Sequence, residues 1–143
     1  MVDYSISDFI GLGVRPQVTM CDSNFLVQIQ EEGMRQLISN FYDLLIQSEI
    51  KQLFPQTQEE IKQAKQNSSD FFIQVLGGTP YFNQNRGRPM MAARHAPFAI
   101  DKKARLIWLN CFKQVIEKLD IEDTLKQSFW NYIDMFSMWM INR

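Results

Sequence analysis

A single histidine, His95, stands in the chain, so any chemistry that needs an imidazole has one possible donor. It lies in the run Arg94-His95-Ala96-Pro97-Phe98. Pro89 suits the first turn of a helix, Met90 to His95 complete little more than one further turn, and Pro97 forbids continuation because it lacks an N–H and restricts its predecessor. The imidazole is thereby expected at a helix terminus. A zinc centre of three histidines is impossible, and a Cys/His zinc site would need clustered cysteines, whereas Cys21 and Cys111 lie far apart without a Cys-x-x-Cys pair. Axial ligation of a haem iron needs only one histidine. A histidine beside apolar residues is also at home as a satisfied structural group, and these residues alone leave both readings open.

The elements that must position this histidine follow from periodicity. From Glu31 to Gln47, the residues Met34, Leu37, Ile38, Phe41, Leu44 and Leu45 make one apolar stripe, which predicts an amphipathic helix. Tyr42 lies at the edge of that stripe, where a tyrosine either packs with its hydroxyl in water or points it into a pocket. Ser48 to Phe54 reads as a short helix ended by Pro55, with Phe54 at the corner. Thr57 and Glu60 form a capping-box pattern that opens a helix to Leu76, with Ile61, Ala64, Phe71, Phe72 and Val75 inward and Gly77-Gly78 as its stop. Gly77 to Gly87 is rich in Gly, Pro and Asn, and shows no strong helical or strand periodicity. Past Phe98 and Ile100, Asp101 caps a helix to Leu119 with Trp108, Cys111, Phe112, Val115 and Leu119 on one face. A last helix, about residues 121 to 141, carries Leu125, Phe129, Tyr132, Phe136 and Met140, with further apolar surface at Trp130, Met135, Met138 and Trp139. No single stripe buries all of that, so part of it is expected to be exposed, covered by residues 1–22, or shared with a second copy.

The runs Gly77-Gly78-Thr79-Pro80-Tyr81, Arg86-Gly87-Arg88-Pro89 and Arg94-His95-Ala96-Pro97-Phe98-Ala99-Ile100, with Arg105, Trp108-Leu109 and Cys111, resemble the truncated haemoglobins, specifically their second group. The resemblance covers about residues 31 to 140 in layout, with its specific part in residues 77 to 112. It implies an all-α, globin-like fold, the truncated two-over-two helical sandwich around haem, with haem b as cofactor and His95 as the proximal iron ligand. It further implies that Tyr42 and Trp108 donate hydrogen bonds to a bound O2, CO or NO. Counting back from the glycine pair along the family pattern brings Ala64 and Ser68 onto the distal face; a slip of one residue would substitute Gln63 or Asn67. The same likeness makes Phe54, Phe71, Phe98, Ile100 and Trp108 candidates to contact the haem.

Charge agrees with an anionic group near the histidine. Residues 86 to 105 hold six basic side chains against Asp101 alone, in a chain whose net charge is −1. Nucleic acid is a poor fit, since the overall charge is slightly negative and no stacking aromatics alternate with the basic residues. Haem propionates fit better, with Arg94 first and Arg88 and Tyr81 behind it. The remaining composition predicts one domain, residues 23–143, preceded by an extension, residues 1–22, in which Gly11, Gly13 and Pro16 interrupt periodicity and which reads as a partly ordered tail. No segment approaches a membrane span and Met1 to Asp8 lacks the features of a signal peptide, so the expected location is cytoplasmic, as monomer or homodimer. Two function classes remain. One is a gas binder with slow release that stores, senses or scavenges; the other is a redox enzyme using bound oxygen against nitric oxide, or peroxidase-type chemistry, with a separate reductase as electron donor.

Overall fold

A computed structural model describes all residues from Met1 to Arg143, and every regular element in it is helical. The order is α1 (Asn24–Leu45), a 3-10 turn (Lys51–Leu53), α2 (Gln58–Val75), α3 (Tyr81–Arg86), α4 (Met91–His95), α5 (Lys102–Glu117) and α6 (Asp123–Met138). The chain divides into two compact units. One is Asp22–Pro89; the other joins Met1–Cys21 to Met90–Arg143.

In the unit Asp22–Pro89, α1 opens where the Asp22 carboxylate accepts the Asn24 N–H at 2.9 Å. The helix is broken at Gln30, whose φ of 64° and ψ of 171° leave the helical region, so the stretch from Glu31 onward is a separate arm. That arm buries Met34, Leu37, Ile38, Phe41 and Leu45. Its partner α2 is capped as expected: Thr57 Oγ1 accepts the Glu60 N–H at 3.2 Å and donates to the Glu60 carboxylate at 2.8 Å. Polar links tie α1 to α2: Arg35 donates to Ser69 and Asp70, and Lys65 to Ser39 and Asp43. Numbers rise along α1 as they fall along α2, so the helices are antiparallel. Gly77 ends α2 with φ 95°, and at Gly78 an added Cβ would stand 2.7 Å from Ile73 Cγ2 and 2.8 Å from both the Ile73 carbonyl oxygen and Leu26 Cδ2. Close backbone approach therefore requires glycine there.

Two segments depart from the sequence reading. The loop from Gly77 to Gly87 contains the helix α3, held by the Gln74 amide, which accepts the Asn83 N–H at 2.9 Å and donates to the Asn83 side chain at 3.0 Å. Six residues are too few for a periodic stripe, and Phe82 alone supplies the buried contact. Between Ser48 and Phe54 the chain makes only a three-residue 3-10 turn.

In the other unit, α5 begins where Asp101 Oδ1 accepts the Ala104 N–H at 2.8 Å. It pairs antiparallel with α6: Arg105 meets Asp134 and Ser137 at one end, the Phe112 and Phe129 rings sit 5.7 Å apart, and Lys126 donates to the Glu117 carbonyl at the other. Residues 1–16 form no helix, yet they are not a loose tail. Asp3 exchanges hydrogen bonds with Gln127, the Ser5 carbonyl accepts Trp130 Nε1–H at 2.9 Å, the Ser7 N–H and hydroxyl donate to Asp134, and the Pro16 carbonyl accepts Trp139 Nε1–H at 2.9 Å. Partners at 3, 5 and 7 meet 127, 130 and 134, because two extended residues advance about 6.6 Å and one helical turn about 5.4 Å. The extension covers the apolar surface that α6 has in excess.

Candidate functional site

His95 occupies the last position of α4, a helix of five residues. Pro89 lies outside it, Met90 adopts the left-handed conformation (φ 43°) at its start, and Pro97 follows its end. The ring is half-buried, and its Nδ1 lies 2.7 Å from the carbonyl oxygen of Met91, one turn back. A carbonyl only accepts, so Nδ1 carries the proton and the neutral ring leaves its lone pair on Nε2. Burial pushes the imidazole below its ordinary pKa, with the Met91 hydrogen bond opposing. The side chain is thus held neutral, in the tautomer that leaves Nε2 as a donor atom. Such a nitrogen fits an iron centre, and its N–H partner on the backbone is the arrangement that orients a metal-bound imidazole.

Other candidates in the same unit are placed as follows. Arg94 and Ile100 are half-buried and Phe98 is exposed. Trp108 stacks edge-on against Phe112, with ring centroids 4.7 Å apart. Arg105, counted in the sequence among the basic groups facing an anion, is engaged internally. Its Nη2 donates to the Asp134 carboxylate at 2.6 Å, its Nε to Ser137 Oγ at 2.8 Å and its Nη1 to the Ser7 carbonyl at 3.0 Å. Both charges are buried, and Asp134 with those acceptors compensates the desolvation that pushes the guanidinium pKa down.

In the unit Asp22–Pro89 a second cluster forms. Tyr42 Oη and Ser68 Oγ lie 2.6 Å apart, with either able to donate, and the Tyr42 ring meets Phe54 edge-on at 5.8 Å. Burial pushes the Tyr42 phenol above its ordinary pKa, so it is a protonated donor at neutral pH. Ala64 is half-buried one turn before Ser68, and Phe71 is buried against Phe72 and Phe82. Gln63 and Asn67 hydrogen-bond to each other at 2.9 Å. Tyr81 Oη donates to Glu31 at 3.1 Å and its ring lies under the Arg35 guanidinium; Arg88 is exposed.

The family model for bacterial-like globins matches residues 24–142. The chain belongs to the bacterial-like globins. Among curated relatives, this globin is 28% identical to group 2 truncated hemoglobin YjbI of Bacillus subtilis over 80% of its own length and 86% of the relative's. It is 27% identical to group 2 truncated hemoglobin 3-1 of Lotus japonicus, over 92% and 79%. Among solved structures, phosphate-bound Hell's gate globin IV shares 35% identity with a TM-score of 0.87, covering 97% of this chain and 87% of that one. The truncated oxygen-avid haemoglobin from Bacillus subtilis shares 27% with a TM-score of 0.76, over 82% and 98%. The globin is a truncated haemoglobin of the second group, all-helical and without strands, and haem-based binding of a small diatomic gas is its general function. No helix is long and apolar enough to cross a membrane.

Sequence reasoning missed two features that bear on the site: the internal engagement of Arg105, and Asn142, whose amide reaches the loop after His95. Neither carries a local signal, since their partners lie tens of residues away.

Proposed function

We propose that this globin binds haem b through His95 and holds oxygen, or another diatomic gas such as CO or NO, with slow release. The observation that carries the reading is the 2.7 Å contact between His95 Nδ1 and the Met91 carbonyl, which supports a neutral ring with its lone pair on Nε2. Non-covalent haem b is preferred to an attached haem because neither cysteine precedes His95 in a Cys-x-x-Cys-His pattern. When bound, the haem iron supplies the centre at which a diatomic gas binds and gains partial negative charge. Tyr42 and Trp108 are the donors toward that charge. The Tyr42 phenol keeps its proton, and when Ser68 is the donor in their shared bond the phenolic O–H is both free to turn to the gas and polarised by its neighbour. Ala64, one turn from Ser68, leaves space without competing for hydrogen bonds. Arg94 is the first partner for a propionate, with Arg88 and Tyr81 behind it, while Phe54, Phe71, Phe98 and Ile100 supply apolar contact to the macrocycle. A relative of similar fold, 27% identical, is described as oxygen-avid, in keeping with slow release.

The test is an absorption spectrum of the purified protein as isolated, reduced, and exposed to carbon monoxide, beside a His95→Ala variant. A Soret band that moves with carbon monoxide and is weakened or lost in the variant is the expected result. No haem uptake after reconstitution, or an unaltered spectrum in the variant, overturns the assignment.

A further inference from the structure

We propose that Asn142 is a positioning residue for His95, fixing the loop that carries the imidazole; this rests on the reading of His95 as the haem ligand. The helix α4 has five residues, starts from a left-handed Met90 and has no side-chain cap at its start. So short a helix closes too few internal hydrogen bonds to hold its own terminus. Beyond it, residues 96 to 100 form no regular element.

The missing restraint comes from the far end of the chain. The Asn142 Nδ2 group donates to the His95 carbonyl at 3.2 Å and to the Phe98 carbonyl at 2.8 Å, while Oδ1 accepts the Ile100 N–H at 3.0 Å. Only one orientation of the amide satisfies two carbonyls and one N–H together, so the network itself decides which end is nitrogen. The main chain adds two bonds, as the N–H groups of Asn142 and Arg143 both donate to the Ile100 carbonyl, at 2.9 and 3.1 Å. Five bonds thus converge on residues 95 to 100.

Asn142 is itself held. Met140 and Ile141 are buried, and the N–H groups of Trp139, Met140 and Ile141 donate back to Phe136, Ser137 and Met138 at the end of α6. The terminus of a five-residue helix is therefore referenced to a sixteen-residue one. The His95 carbonyl carbon and its side chain are bonded to the same Cα, and the ring is tied to Met91 through Nδ1. Displacing the carbonyl tilts the helix end and turns the imidazole, which sets the direction of Nε2 toward the metal.

The test uses the haem-loaded ferrous protein without gas and reads the iron–histidine stretching band by resonance Raman. Asn142→Ala removes all three amide bonds; Asn142→Asp keeps the acceptor for Ile100 and both main-chain bonds but loses the two donors, and it decides the matter should the alanine variant fail to fold. A control, Ser137→Ala, loosens the same carboxyl-terminal segment through Arg105 without touching residues 95 to 100. We expect the band to shift and broaden in both Asn142 variants, and to stay in place in Ser137→Ala even where urea unfolding shows lower stability. A band unchanged in a folded Asn142 variant overturns the positioning role, as does an equal shift in the control, which would mark general loosening. An unaltered protein whose ferrous haem is five-coordinate and high-spin but shows no iron–histidine band defeats the ligand reading itself, a failure visible before any variant is made.

Discussion

Tyr42 and Ser68 share one short hydrogen bond, and its polarity governs what the phenol does next. If Ser68 is the donor, Tyr42→Phe removes a hydrogen bond to a charged acceptor, about 1.5–3 kcal/mol, and oxygen dissociation measured by stopped flow should accelerate by about ten- to a hundredfold. Trp108→Phe should accelerate it in the same direction, and the double variant tests whether the two donors are coupled. Ser68→Ala, which removes only the polarising neighbour, should have a smaller effect of the same sign; a slower release would mean that Tyr42 is the donor and that Ser68 diverts it. The phenol also has a signature at high pH. Burial raises the pKa values of Tyr42 and Tyr132 in the folded state, so the unfolded chain loses those protons first. Their stabilisation is present below the unfolded value near 10 and is lost as pH rises above it. Tyr4 is raised as well, by burial and by the nearby Glu117 and Asp123 carboxylates, so tyrosinate absorbance followed through alkaline unfolding should show three late-titrating phenols, and two in Tyr42→Phe. Among single residues, what could be read from sequence was local: His95 between Pro89 and Pro97, Thr57 with Glu60, and Asp101 three residues before Ala104. Arg105 could not be read in the same way, because its partner Asp134 is 29 residues away and only the fold reveals it.

At the scale of elements, the long amphipathic helices were legible because a stripe repeated over four or five turns outweighs local ambiguity. Of the short ones, α4 was legible from the prolines that flank it and α3 was not. The helix α3 is made by the Gln74 amide and one buried Phe82, and the break at Gln30 has no glycine or proline to announce it. The join between α5 and α6 depends on the buried Arg105–Asp134 pair, which the extension completes through Ser7. Asp134→Ala leaves a guanidinium buried without its counter-charge and should cost about 3–5 kcal/mol, read from urea unfolding. At the end of α2, Gly78→Ala places a methyl against the Ile73 carbonyl oxygen, a backbone atom that cannot swing aside. It should destabilise by about 1–3 kcal/mol, whereas a variant as stable as the parent would show that the turn relaxes freely.

At the scale of the whole chain, the resemblance resting on residues 77 to 112 conveyed the fold, since it gathers the glycine pair, the histidine and the tryptophan at family spacing. The course of residues 1–16 was beyond it, as they match no periodic pattern and are specified by receivers on α6. Binding of haem to the folded chain alone adds stability as the logarithm of ligand over dissociation constant, about 2.7 kcal/mol at a hundredfold excess. Extracting the haem should therefore lower the thermal midpoint, and His95→Ala should shrink the gap between loaded and empty protein. The extension has a further consequence for how freely its sequence can vary. Its contacts to Trp130, Trp139 and Arg105 are accepted by main-chain carbonyls, those of Ser5, Pro16 and Ser7, which every amino acid possesses. Many spellings of that segment can therefore satisfy the same indoles and guanidinium, while proline at Asp3 or Ser7, which would delete a donating N–H, cannot. Related chains can drift along the extension and still dock it, so long as the side chains that receive it are kept, with Ser7, whose hydroxyl also donates to Asp134, and Tyr4, whose ring meets Trp130 edge-on, as the more restrained positions.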